Sequence, residues 1–223
     1  MLASQTVENY LKSIYLAEAA LTGDRALVPM GQLASALGVT PGTATTMVKA
    51  LAESGLAHYE PYAGVRLTPA GEKLASMVLR RHRLIELFLV KVLGMSWTEV
   101  HDEAEHLEHA VSERLIDRID EMLGRPTVDP HGDPIPTAEG HVEMSDAIDL
   151  LSCPMGVTMR VTRVIDQDPQ FLHFVEASSL KPGEEVTVDA RDGVADRVSL
   201  RYADGRVTTV GTRAAAKILV APA

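Results

Sequence analysis

Residues 101–109 read His-Asp-Glu-Ala-Glu-His-Leu-Glu-His, a run that leaves the chain few options. Placed on an α-helix at about 100° per residue, His101, Glu105, Glu108 and His109 share one face. Glu103 then lies on the far side and His106 well round from the stripe. Two carboxylates and two imidazoles on one stripe are a ligand set for a divalent metal. A solvated charged face would read the same way in isolation. The preceding segment favours metal, because His82 and Glu86 repeat the i, i+4 spacing. Two neighbouring helices with such pairs can enclose an ion. The run is expected to be helical from a cap at Ser96, with Glu99 three residues on, towards Ile119. A further helix over residues 111–123 is either separate or continuous with it.

With 223 residues and 46% apolar content, the chain can bury a large core or two to three small ones. Cys153 is the only cysteine, which excludes an intrachain disulfide and fits a reducing compartment. No basic-then-apolar leader opens the sequence, and no run approaches the ~18 apolar residues of a membrane span. The expectation is a cytoplasmic protein with no membrane association. Net charge is −10, but residues 1–83 carry eight Lys/Arg against six Asp/Glu. A mildly basic first third on an acidic body permits DNA binding at one end.

That first third has the matching local signals. Thr6 is a candidate cap for a helix carrying Val7, Tyr10, Leu11, Ile14 and Tyr15 at helical spacing. A break at Thr22-Gly23-Asp24 precedes a short helix from Met30 that stops at Gly38. Thr40-Pro41 then starts another, over residues 41–54, which stops at Gly55. This is helix, glycine turn, helix, read either as a helix-turn-helix or as an ordinary αα-hairpin. The second helix opens with Thr40, Gly42, Thr43, Thr45 and Thr46, with Lys49 a turn later, while Met47, Val48 and Leu51 are held back for packing. Small polar residues at a helix N-terminus suit contact with base edges and phosphates. Residues 56–68 read as two short strands around Pro61 and Gly64, with Tyr62 and Arg66 placed to reach phosphate. Thr68-Pro69, with Glu72 in the first turn, starts the next helix. Helix-turn-helix, two-stranded wing and helix together make a winged helix.

Further on, Leu84, Leu87, Phe88, Leu107, Val111, Leu115 and Ile119 exceed what two isolated helices need, so a helical dimer interface is expected. Residues 124–140, with Pro126, Pro130, Pro134 and Pro136, read as an irregular connector. Arg81-His-Arg-Leu84 with Glu86, Val100-His-Asp-Glu-Ala104 with Glu108-His109, and His131-Gly-Asp-Pro-Ile-Pro136 together resemble the diphtheria-toxin-repressor family of metal-dependent regulators. The resemblance covers essentially the whole chain. It implies a homodimer that binds a double-stranded DNA operator once divalent metal is bound. It also implies a primary metal site of Asn9, Glu105, Glu108 and His109, and a second of His82, Glu86 and His101. Iron-type members carry Cys at the position of Glu105 and Met at that of Asn9. Glu105 is instead the manganese-type choice, which implies Mn2+, with Fe2+ as the alternative. Manganese-type members place Asp at the Asn9 position and a second acid at that of Lys12. Lys12 breaks their closely spaced two-metal pattern and leaves the separated arrangement.

From residue 151 the pattern becomes alternating strands: residues 158–164, 185–188 and 197–202, then an Asp204-Gly205 turn and residues 206–210. Residues 169–180 read as an intervening helix. This is similar to the SH3-like (FeoA-like) domain of longer family members, which in some lends ligands to the second site. Gln167 and Gln170 are the nearest matches, and ordinary surface polar residues are the other reading. The expected fold is mainly α with β. A winged-helix DNA-binding domain occupies residues 1–74 and a helical dimerisation and metal-binding domain 75–143. A linker (144–154) and an SH3-like β-barrel (155–223) follow. Three functions compete: a metal-activated repressor, a metal-independent winged-helix regulator, and a metalloenzyme. The last is disfavoured, since no His-Glu-x-x-His occurs and a winged helix has no part in it. The protein is therefore expected not to be an enzyme.

Overall fold

The computed structural model describes residues 4–21, 27–143 and 146–223. The expected break at Thr22-Gly23-Asp24 and the first two residues of the expected linker lie outside them. The chain divides into two compact units. The first holds residues up to His82, with Glu108–Val111 and Pro136–Val142. The second holds Arg83–Leu107, Ser112–Ile135 and the chain from Glu143 onward.

In the first unit, α1 (Gln5–Ala19) is capped by Ser4, whose side chain accepts from Val7 N; Thr6, the expected cap, lies inside the helix. α2 (Met30–Ala36) is closed by Leu37, with Gly38 at positive φ just beyond it, and α3 (Pro41–Glu53) begins as expected, with Thr40 Oγ1 accepting from Thr43 N at 3.2 Å and Pro41 in the first turn. Leu11, Ile14, Leu33, Val48, Leu51 and Val65 form its core. The wing pairs β1 (Ala57–Glu60) with β2 (Gly64–Leu67), placing His58 opposite Arg66. Val28 adds a third rung by exchanging backbone hydrogen bonds with Val65. Gly64 is required here, because a Cβ on it would collide with the Val28 carbonyl and its φ is +146°. The wing is tied to α1 through Glu18 Oε1, which accepts from Leu67 N at 2.7 Å.

α4 (Pro69–Lys91) is one helix, and the division between units falls within it after His82. In the second unit, α5 (Val100–Leu107) is shorter than expected. Glu108 lies in a turn beyond it, and a new helix, α6 (Glu113–Met122), starts at Ser112, whose Oγ accepts from Leu115 N. A cap at Ser112 stops a continuous helix from 96 to 119. The chain then builds β3 (Ile148–Asp149), β4 (Thr158–Val164), α7 (Pro169–Ala177), β5 (Glu185–Asp192), β6 (Arg197–Tyr202), β7 (Val207–Gly211), α8 (Thr212–Ala215) and β8 (Ile218–Pro222). The strands form one antiparallel sheet in the order β3-β8-β4-β5-β6-β7. Its inward residues, among them Met159, Val161, Leu200, Ile218 and Val220, pack with Leu172 and Trp97. The residues expected to face a dimer partner divide. Leu84, Leu87 and Ile119 are buried within a single chain, whereas Leu115 is open to solvent, as is Met122 on the same face of α6.

Candidate metal centre

Each unit contains its own buried polar cluster. In the first, Glu8 and Lys12 project from one face of α1, Arg81 and His82 come from α4, and Glu108 and His109 come from the turn after α5. Glu108 is fully buried. Lys12 Nζ donates to both its oxygens, at 2.7 and 2.9 Å, and His82 Nδ1 donates to Oε2 at 2.6 Å. Burial alone would raise the Glu108 pKa. The hydrogen bond from His82 and the Lys12 ammonium outweigh it and hold the carboxyl below its ordinary value. Glu8 accepts from His109 Nδ1 at 2.6 Å and is held by Arg81 at 2.9 Å. In the neutral ring this leaves the lone pair on Nε2, which is buried without a hydrogen-bond partner and lies 3.3 Å from Glu108 Oε1. Two lone-pair atoms turned towards each other fit a cation. Asn9 Oδ1 is also buried without a hydrogen bond.

The second cluster centres on His131. Its ring stacks on Trp97, and Nε2 donates to the Trp97 carbonyl at 2.8 Å. Nδ1 is therefore the bare nitrogen, in a fully buried ring and without a hydrogen-bond partner. Glu86 Oε2 lies 3.9 Å from it. Ligand atoms of Glu86, Asp129 and His131 all fall within 4.8 Å of one another. Asp129 Oδ1 accepts from the backbone N–H groups of His131 and Asp133, which folds the loop around it. Burial, then the neighbouring carboxylates of Asp133 and Glu86, push the Asp129 pKa well above the usual range. Arg83 lies 3.8 Å from both Asp129 and Asp133, and Arg163 pairs with Asp133. The loop docks on β4, where Val164 N donates to the His131 carbonyl at 2.8 Å.

The residues of the expected sites fall in both units. Asn9, Glu108 and His109 belong to the first unit and Glu105 to the second, where its Oε1 is 3.7 Å from His101 Nε2. Glu86 and His101 come together, with Oε1 3.3 Å from Nδ1, while His82 is engaged with Glu108 in the other unit. Gln167 donates to Asp133 Oδ2 at 2.7 Å, and so holds a loop residue. Gln170 is exposed, and its backbone N–H is capped by Asp168. Sequence reasoning missed Asp129 and His131, although residues 131–136 were read as a family signature. It also missed Glu8 and Arg81, which orient His109. On α3, Thr40, Gly42, Thr43, Thr46 and Lys49 are exposed. Thr45 and Thr46 bond back to the carbonyls of Pro41 and Gly42. Arg66 is half-buried, with the Glu18 carboxylate near it.

Comparison with known proteins fits this layout. Family models match three successive blocks: the iron dependent repressor N-terminal DNA binding domain at residues 2–65, its metal binding and dimerisation domain at 68–137, and the FeoA domain at 148–222. The chain is 32% identical over 204 residues to the iron-dependent repressor IdeR of Mycobacterium tuberculosis, covering 84% of this chain and 85% of that one. It is 35% identical over 118 residues to the regulator MntR of Lysinibacillus sphaericus, covering 53% of this chain and 81% of that one. Among solved structures, a manganese-dependent transcriptional repressor in complex with manganese superposes with a TM-score of 0.88 at 42% identity, covering 96% and 99% of the two chains. Winged helix, buried imidazole–carboxylate clusters and FeoA sheet, in that order and at these identities, mean that the chain belongs to the diphtheria-toxin-repressor family of metal-dependent transcriptional repressors.

Proposed function

We propose that this protein is a cytoplasmic, manganese-responsive repressor that binds a double-stranded DNA operator as a homodimer. Residues 1–74 would bind DNA, 75–143 would carry dimerisation and metal, 144–154 would link, and 155–223 would form the SH3-like domain. The observation that carries the reading is His131 Nδ1, a bare, fully buried nitrogen beside Glu86 and Asp129. A buried imidazole nitrogen with no partner is costly unless something binds it. In the second unit Glu86, Asp129 and His131 would hold an ion, with His101 bonded to Glu86 at the exposed edge. In the first unit Glu108, His109 and Asn9 would do so, with Glu8 fixing the His109 tautomer. The bound metal supplies a divalent cross-link, and in the first unit that link would tie α1 to the 108–109 turn.

Neither donor set includes sulfur. Carboxylate, amide oxygen and imidazole suit Mn2+ better than softer ions, although Zn2+ binds most such sites more tightly by the Irving–Williams order. Selectivity would therefore lie in activation rather than affinity. Mn2+ accepts six ligands and can recruit Asn9, whereas four-coordinate Zn2+ can leave it out. On DNA, the open threonines at the start of α3 would enter the major groove and Lys49 would meet phosphate. The test is an anaerobic titration with Mn2+, Fe2+ and Zn2+, scored by anisotropy on a duplex selected from a random pool in the presence of Mn2+. Full binding with Mn2+ and partial binding with Zn2+ are expected. A response to Fe2+ where Mn2+ does nothing would reassign the metal. Equal affinity with chelator present would overturn metal activation altogether.

A further inference from the structure

Glu108 is wholly buried, yet both its oxygens are already engaged by an ammonium group. Lys12 is itself only 6% exposed, so its charge is shielded from water. The other carboxylate of the cluster, Glu8, likewise has a fixed cation in Arg81. Two carboxylates thus face two permanent positive charges before any metal arrives. The second unit differs, since Asp129 and Asp133 share Arg83 at 3.8 Å and Arg163 pairs with Asp133. The same kind of donor therefore meets a divalent ion on unequal terms in the two places.

The geometry points to Lys12 as a tethered cation that competes with divalent metal for Glu108. It thereby sets the metal concentration at which the first unit's site fills. This rests on reading Glu108 and His109 as metal ligands. An ion on Glu108 would lie within a few ångströms of the ammonium, and in a buried setting that repulsion is poorly screened. Binding must swing Lys12 aside or proceed with reduced affinity. Either way the cluster responds only at higher metal levels than its donor atoms alone would give.

The experiment measures Mn2+ binding to the full chain from loss of the free-ion electron paramagnetic resonance signal. A His131→Ala background removes the second unit's site. Lys12→Met keeps the length and loses the charge, and is expected to tighten binding roughly tenfold or more. Lys12→Arg keeps the charge and should give no gain. A Lys12→Met protein with native circular dichroism but unchanged or weaker affinity overturns the competitor role while leaving the ligand reading intact. If neither parent nor Lys12→Met binds Mn2+, the ligand reading itself fails, and the inference with it. Should Lys12→Met fold poorly without metal, Mn2+-induced refolding of it at concentrations that leave the parent empty supports the role. Failure to refold at concentrations that saturate the parent overturns it.

Discussion

The two buried clusters use the same vocabulary of imidazole and carboxylate and arrive at opposite electrostatic states. In the first unit each acid has its own fixed cation, Lys12 on Glu108 and Arg81 on Glu8, and Glu108 is held ionised. In the second unit burial and the neighbouring carboxylates of Asp133 and Glu86 push Asp129 towards its protonated form, although Arg83 lies 3.8 Å away. One cluster already holds its main carboxylate ionised, whereas the other favours the protonated form of one of its acids. Ligand type identifies a metal site, but the neighbouring charges decide how readily it fills.

The sharpest way to break this comparison is to remove one of the built-in cations. Lys12→Ala leaves the Glu108 carboxylate buried without its ammonium. It should destabilise the metal-free protein by about 3–5 kcal/mol, the usual cost of breaking a buried pair from one side. Urea unfolding in chelator measures this, and a change below about 1 kcal/mol would mean that the pair is not isolated from solvent. Saturating Mn2+ should return part of the loss, since ligand binding stabilises the folded state.

The pH dependence sharpens the contrast, because the two acids have opposite signs. Glu108 has a lowered folded pKa. Its contribution is present above the ordinary glutamate value and is lost as pH falls through the lowered one. Asp129 has a raised folded pKa. Its contribution is full below the ordinary aspartate value and is lost as pH rises through the raised one. Metal-free unfolding curves across the acid-to-neutral range should therefore change on different limbs in two variants. Glu108→Gln alters the acid limb, and Asp129→Asn flattens the limb at higher pH. Identical profiles for the two variants would remove the distinction between the clusters.

The smallest expected effect concerns the support of the second cluster. Gln167→Ala removes the hydrogen bond to Asp133, costing about 1 kcal/mol of stability. Mn2+ affinity at Glu86, Asp129 and His131 should fall roughly tenfold, as for other groups that orient ligands. The first unit's cluster should be unaffected, and parallel losses in both would indicate a global change.

Much of the fold was legible because local chemistry sets it. Thr40-Pro41 starts α3 where capping says it should, and β4 and β6 span the residues their alternation indicated. β8 was not read, since Ile218–Pro222 forms a strand only by pairing with β3 and β4, which the periodicity of five residues does not reveal. The candidate site was legible in its residue types and less so in the helix that carries them. A helical wheel assumes an unbroken helix, and α5 ends at Leu107, so Glu108 and His109 leave the stripe. The Ser112 cap was the available warning. Asp129 and His131 were hidden because a proline-rich loop gives no sign of its long-range partners. These are the Trp97 carbonyl and the edge of β4.

The stacking of His131 on Trp97 has an optical consequence. The chain has a single tryptophan, and its ring centroid lies 5.3 Å from that of the imidazole whose bare nitrogen faces Glu86. Indole emission from the whole protein therefore originates beside one cluster and none arises from the other. A change in the charge carried by His131 alters the field at the fluorophore. The molecule thus carries a native, label-free reporter of what happens at the His131 cluster.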